Sequence, residues 1–171
     1  MNEWIKISGK LVFDLEDKTK KHESQASWKK TAAILFEDDL CEYYAWFLNR
    51  RYLIELNKPL RGSHFTVIND KYDNIDLWNK VKKQYQNSIL DVYYHTDLRS
   101  NIDHWWLKAF SPQANKIRVK LGMGKPFFNP HITIGLANIK NVEMSAYILR
   151  CEQLFGDYKE IKLPKVANKY F

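Results

Sequence analysis

Ser63-His64-Phe65-Thr66-Val67-Ile68 and Pro130-His131-Ile132-Thr133-Ile134-Gly135 are two versions of one pattern: histidine, an apolar residue, threonine, an apolar residue. Both sit in apolar runs of strand character. Side chains alternate across a strand, so each His and Thr share one face, while Phe65 or Ile132 points into a core on the other. Each copy then presents an imidazole and a hydroxyl side by side, about 7 Å apart along the strand. One such histidine alone is as well explained by a partner within the fold. Two matched copies, in a chain with 5 histidines, point to a shared device.

The composition bounds the class of protein. A chain of 171 residues, 45% hydrophobic and 27% charged, fits one soluble domain with a sizeable core. Two halves are expected within it, about 1–88 and 89–171. No apolar run has the length of a membrane span, and Met1-Asn2-Glu3-Trp4 does not open a signal peptide. A cytoplasmic monomer is the expectation. Cys41 and Cys151 fall in amphipathic helical patterns without metal-ligand spacing, which favours reduced thiols. The net charge of +7 favours an anionic partner, and the 15% of aromatic residues offers faces on which bases stack. The same figures also fit a protein whose charge serves solubility and whose aromatics fill a core.

Along the chain, residues 3–14 read as a hairpin with Ser8-Gly9 at the turn. The charged stretch 14–30, with Lys18, Lys20, Lys21 and His22, reads as an exposed loop or mobile insertion. Its functional reading is a lid or a nucleic-acid contact. Thr31–Phe36 fits a buried strand. Asp38 and Asp39 offer an N-cap for a helix over 39–56, with Leu40, Tyr43, Tyr44, Phe47 and Leu48 as core positions. The first motif strand spans 63–69. Asn74 or Asp73 caps a second helix running to about Gln86, with Leu77, Trp78, Val81 and Tyr85 on one side. Ile89–Tyr94 and His104–Phe110 read as strands joined by a hairpin loop at 97–103. Ser111-Pro112 starts a short helix that Gly122 ends. After the second motif, Asn141 caps a helix of about 142–155. The order helix, motif strand, helix thus occurs twice.

Two His/Thr pairs suit phosphodiester cleavage. One imidazole activates the attacking oxygen and the other protonates the leaving oxygen, because imidazole titrates near neutral pH. Thr66 and Thr133 then donate to the non-bridging oxygens. A metal site needs three or four convergent ligands, and His22, His95 and His104 show no ligand spacing with either motif. No P-loop or Gly-x-Ser-x-Gly elbow is present, and Gly122-Met123-Gly124-Lys125 lacks the positions of a phosphate loop. Neither metal nor cofactor is expected.

The paired motifs, 64 to 131, resemble those of the 2H phosphoesterase superfamily, which includes LigT-like 2′-5′ RNA ligases and cyclic phosphodiesterases. The second half carries most of the likeness: Trp105-Trp106-Leu107, a helix begun by Ser111-Pro112 and ending at Leu121-Gly122, then Phe127-Phe128-Asn129-Pro130-His131-Ile132-Thr133-Ile134. The resemblance covers roughly residues 30–155. It implies a bilobal α+β fold, with two pseudo-symmetric antiparallel sheets around a central groove and helices outside. It also implies metal-independent hydrolysis of a 2′,3′-cyclic phosphate, a 2′-5′ linkage or a cyclic oligonucleotide, with His64, Thr66, His131 and Thr133 catalytic. Some phage members of the superfamily degrade cyclic oligonucleotide immune signals, a role within reach of so compact a chain. Asn69-Asp70 stands where LigT-like members usually continue Phe-Leu-Gly, and the segment 14–30 has no obvious counterpart.

Around the groove, cations for phosphates and aromatics for bases are expected. The candidates are Arg61, Tyr93, Trp105, Trp106, Lys125, Phe127 and Phe128, with Arg118, Lys120 and Tyr94 close in sequence. Two readings compete with catalysis. One is a non-catalytic protein that sequesters a nucleotide or RNA on the same cleft. The other is a structural or interaction protein that tolerates loss of both histidines. The residues leave open the linkage, the base and which histidine is the acid.

Overall fold

The first strand, β1 (Trp4–Phe13), is continuous where a hairpin was expected. Gly9 serves close approach, not a turn: a Cβ there would lie 2.5 Å from the Leu35 carbonyl oxygen and 2.7 Å from Ile34 and Phe36 side-chain atoms. In this computed structural model the described residues are 4–15, 29–37, 39–59, 61–101, 103–126 and 129–137. Most of the charged segment 14–30, the expected helix 142–155, Cys151, Phe127 and Phe128 lie outside the described residues.

Strand β2 (Lys29–Leu35) pairs with β1 and then with β4 (His64–Lys71). Between them come α1 (Leu40–Tyr52) and the two-residue β3 (Leu56–Asn57). The helix stops earlier than its apolar pattern suggested, because Leu53 takes a left-handed conformation (φ 54°) and the chain then extends into β3. Asp39 is the N-cap but makes no side-chain cap bond; the Ser63 hydroxyl instead accepts from the Cys41 amide at 3.1 Å. Leu40, Tyr44 and Leu48 of α1 are buried as expected, whereas Tyr43 is 57% exposed.

Helix α2 (Ile75–Tyr85) begins where Asn74 accepts from the Leu77 amide, and α3 (Pro112–Lys120) where Ser111 accepts from the Ala114 amide. Both caps satisfy an otherwise unpaired N–H of the first turn. Strand β5 (Ile89–Ser100) runs well past the expected end at Tyr94, leaving a short connection to β6 (His104–Phe110). A register shift between Tyr94 and Leu98 carries it across residues that read as loop. The last described strand is β7 (His131–Ala137).

All described strands join one antiparallel sheet in the order β3-β7-β4-β2-β1-β5-β6. Pairing of β7 with β6 closes six of them into a barrel. The architecture is α+β, with a single sheet in place of the two that the resemblance implied. Strands β1 and β5, far apart in sequence, pair over a seven-residue register. By contrast, β4 and β7 meet at one register pair, Phe65 with Ile132. The same edge of β7 continues to β3, where Gly135 lets the chains close up: a Cβ there would lie 2.6 Å from the Asn57 carbonyl.

One face of the sheet forms the core. Leu11, Ile34, Phe65, Val67, Val92, Trp105, Leu107, Ile132 and Ile134 pack with Leu48, Trp78 and Ile117 of the three helices. Trp78 and Trp105 are fully buried. Among the described residues no helix is long and apolar enough to cross a membrane.

Candidate active site

The motif strands are neighbours, and their single point of pairing aligns the motifs. Phe65 and Ile132 are buried, at 4% and 0% exposure, so both motifs turn His and Thr to the face opposite the core. Antiparallel register about that pair sets His64 across from Thr133 and Thr66 across from His131. The register therefore sets the two histidines diagonally opposite each other, with a threonine at each of the other two corners.

Both imidazoles are held by the same device. His64 Nδ1–H donates to the Gly62 carbonyl at 2.9 Å, and His131 Nδ1–H donates to the Asn129 carbonyl at 2.6 Å. In each case the acceptor lies two residues earlier. A carbonyl only accepts, so Nδ1 carries the proton and Nε2 of the neutral ring holds the lone pair. Gly62 reaches this geometry through a positive φ of 66°. Burial lowers the pKa of both rings from the usual imidazole value, against the raising effect of these backbone hydrogen bonds. At His64 the charges of Arg61 and His131 lower it further.

A third histidine joins the site. His104, at the start of β6, places Nε2 3.1 Å from Thr133 Oγ1, with its ring edge-on to His131 at 5.5 Å and tilted over Trp106 at 5.1 Å. Its pKa is also lowered, first by burial and then by the charge of His131, with Asp103 opposing. In the sequence His104 stands outside both motifs and shows no metal-ligand spacing with them. No local pattern marks it, because its place beside Thr133 depends on a register shift between Trp105 and Trp106 where β6 meets β7. Below Thr133, the Cys41 thiol donates to its carbonyl at 3.2 Å, tying α1 to the motif strand.

The expected substrate contacts divide. Trp106 lies on the histidine face, 6.4 Å from the His131 ring. Trp105, expected as a contact, is fully buried in the core and does not reach the site; alternation sends only one of the two tryptophans there. Tyr94 is likewise buried, while Tyr93 is half-buried and stacks on Phe110 at 5.2 Å, its partner in the β5–β6 register. Arg61 is near enough to bias His64. Lys125 is exposed on the loop after α3.

Arg118 is a structural cation, not a ligand for phosphate. It is 5% exposed, and its guanidinium donates to Asp70 at 2.9 Å and to the Val67 and Gly124 carbonyls at 3.0 Å each. Lys120 sits over the Tyr85 ring at 4.7 Å and bonds its hydroxyl. A recess of about 330 Å³, open mouth included, lies beside Thr66 between Phe110, Asn115, Pro126 and Pro130. Among the described residues no three His, Cys, Asp or Glu side chains are grouped to hold a metal ion. No family model matches the chain, and neither a curated protein nor a solved structure does.

Proposed function

We propose that this protein is a metal-independent phosphodiesterase of the 2H phosphoesterase kind, acting in the cytoplasm on a nucleotide phosphodiester. The observation that carries the reading is the duplicated device: two histidines with Nδ1 tied to a carbonyl two residues back, each two residues before a threonine, on one face of adjoining strands. A tied Nδ1 aims Nε2 as the atom that takes or gives a proton.

In the mechanism, His64 Nε2 takes a proton from the attacking oxygen of water or a ribose hydroxyl. That oxygen bonds to phosphorus while the bond to the leaving oxygen breaks, and His131 Nε2–H delivers the proton it needs. His64 ends protonated and His131 neutral, and exchange with solvent restores both. Thr66 and Thr133 donate to the non-bridging oxygens as their charge grows. The acid is assigned to His131 on electrostatic grounds. Its charge pushes down both His64 and His104, and Arg61 acts on His64 in the same direction. Repulsion between the rings is mutual, so it is Arg61, acting on His64, that favours His131 as the protonated one of the two motif rings. Each such proton transfer typically contributes about 10²–10⁴ in rate.

The test is incubation with 2′,3′-cyclic nucleotides, 2′-5′ oligonucleotides and cyclic di- and trinucleotides, with and without EDTA, followed by product analysis. The expected result is a new phosphate end formed at the same rate in EDTA. Binding without a new end would replace this reading by the sequestering one, and neither binding nor cleavage would replace it by a structural role.

A further inference from the structure

We propose that His104 is a positioning residue for Thr133: its Nε2–H donates to the Thr133 hydroxyl oxygen and thereby aims the hydroxyl proton at a bound phosphoryl oxygen. This rests on the phosphodiesterase reading above.

The contact is 3.1 Å between His104 Nε2 and Thr133 Oγ1. A hydroxyl has one proton and two acceptor positions. If the ring accepted that proton, Thr133 would have none left for a ligand. If the ring donates, the hydroxyl proton stays free, and the accepted bond limits where the hydroxyl rotor points. The neutral ring protonated at Nε2 and the imidazolium both donate, so the arrangement holds in either state.

The ring is fixed on several sides. Trp106 lies against one face at 5.1 Å and 32°, and His131 stands edge-on at 5.5 Å and 76°. The backbone at His104 is pinned as well: its amide donates to Asn101 Oδ1 at 2.9 Å, and its carbonyl accepts from the Asn101 amide at 3.1 Å. Among the described residues no such ring bond reaches the Thr66 hydroxyl. The two motifs are therefore alike in their histidines and unlike in their threonines. A donor already oriented toward developing charge needs no reorganisation during the reaction, which makes Thr133 the stronger of the two.

The experiment compares kcat and KM of His104→Leu, His104→Gln, Thr133→Val and the double variant His104→Leu/Thr133→Val on whichever diester the protein cleaves. Losing an oxyanion donor outright costs about 10²–10³ in kcat, and losing only its aim is expected to cost about tenfold, with KM within about twofold. His104→Gln, whose amide nitrogen takes the place of Nε2, is expected to stay within about threefold of the parent protein. In the Thr133→Val background, His104→Leu is expected to change kcat by less than about twofold. Equal losses in both backgrounds, or Gln no better than Leu, would overturn the proposal. A second readout needs no turnover: 15N NMR of the parent protein should find the His104 ring protonated at Nε2, with that proton exchanging faster in Thr133→Val. A bare Nε2 overturns the positioning role whatever the activity. Failure of every diester on the panel, with Nε2 protonated, would instead overturn the phosphodiesterase reading alone.

Discussion

Replacing Arg118 by Met tests whether a buried ion pair holds the two motif strands in place. The guanidinium makes three bonds: to Asp70 on β4 at 2.9 Å, to the Val67 carbonyl beside Thr66, and to the Gly124 carbonyl of the loop leading to the second motif. The Arg118 and Asp70 side chains are only 6% and 16% exposed. Met keeps the apolar stem, so the loss is confined to the head group. It leaves a carboxylate short of its partner in a site nearly closed to water, together with two carbonyls. Breaking a buried pair from one side costs about 3–5 kcal/mol. That is a large share of the 5–15 kcal/mol typical of a domain. Asp70→Asn keeps an acceptor oxygen and should cost less, about 1–3 kcal/mol. The double variant should be more stable than the sum of the single losses implies, by about 1 kcal/mol or more. Urea unfolding followed by tryptophan fluorescence measures all three, given an unchanged m-value. A loss below about 1 kcal/mol for Arg118→Met, or additive losses, would mean that the pair does not hold the strands.

Gly9→Ala should destabilise by about 1–3 kcal/mol, seen as a lowered Tm, because its Cβ would sit 2.5 Å from the Leu35 carbonyl oxygen. Trp105→Phe should cost stability, by about 1–3 kcal/mol, whereas Trp106→Phe should leave the unfolding midpoint nearly unchanged and alter turnover, since only Trp106 faces the histidines. The folded-state pKa values of His64, His95, His104 and His131 are all lowered, mainly by burial. Below about pH 6.5 the unfolded chain therefore binds more protons than the folded one, and stability should fall as pH drops through the folded values, by up to about 1.4 kcal/mol per pH unit for each ring. Denaturant midpoints at pH 7.5, 6.5 and 5.5 check this, and a midpoint that rises toward acid would contradict it.

What was readable in the sequence was local. The motif strands announced themselves by alternation, and Asn74 and Ser111-Pro112 marked helix starts because a cap is a contact between residues three apart. Non-local geometry was hidden. Gly9 resembled a turn, but its role is set by Leu35 and Phe36 crossing beside it. The two tryptophans of β6 alternate, and nothing local says which one faces the site. His104 reaches Thr133 only through strand order and a register shift. Arg118 looked like a phosphate ligand because its partner Asp70 lies 48 residues away. That same Asp70 anchors α3 to the first motif strand.

In the proposed mechanism His64 and His131 act as one unit on one phosphate. Its most direct test is kcat/KM for His64→Ala, His131→Ala and the double variant, measured in EDTA on the best diester of the panel. If the two rings serve the same transition state, each single change should lower the rate by about 10³ or more, and the double variant should be little worse than either. Either single variant within about tenfold of the parent rate, or losses that multiply in the double variant, would mean that the two rings do not serve one transition state.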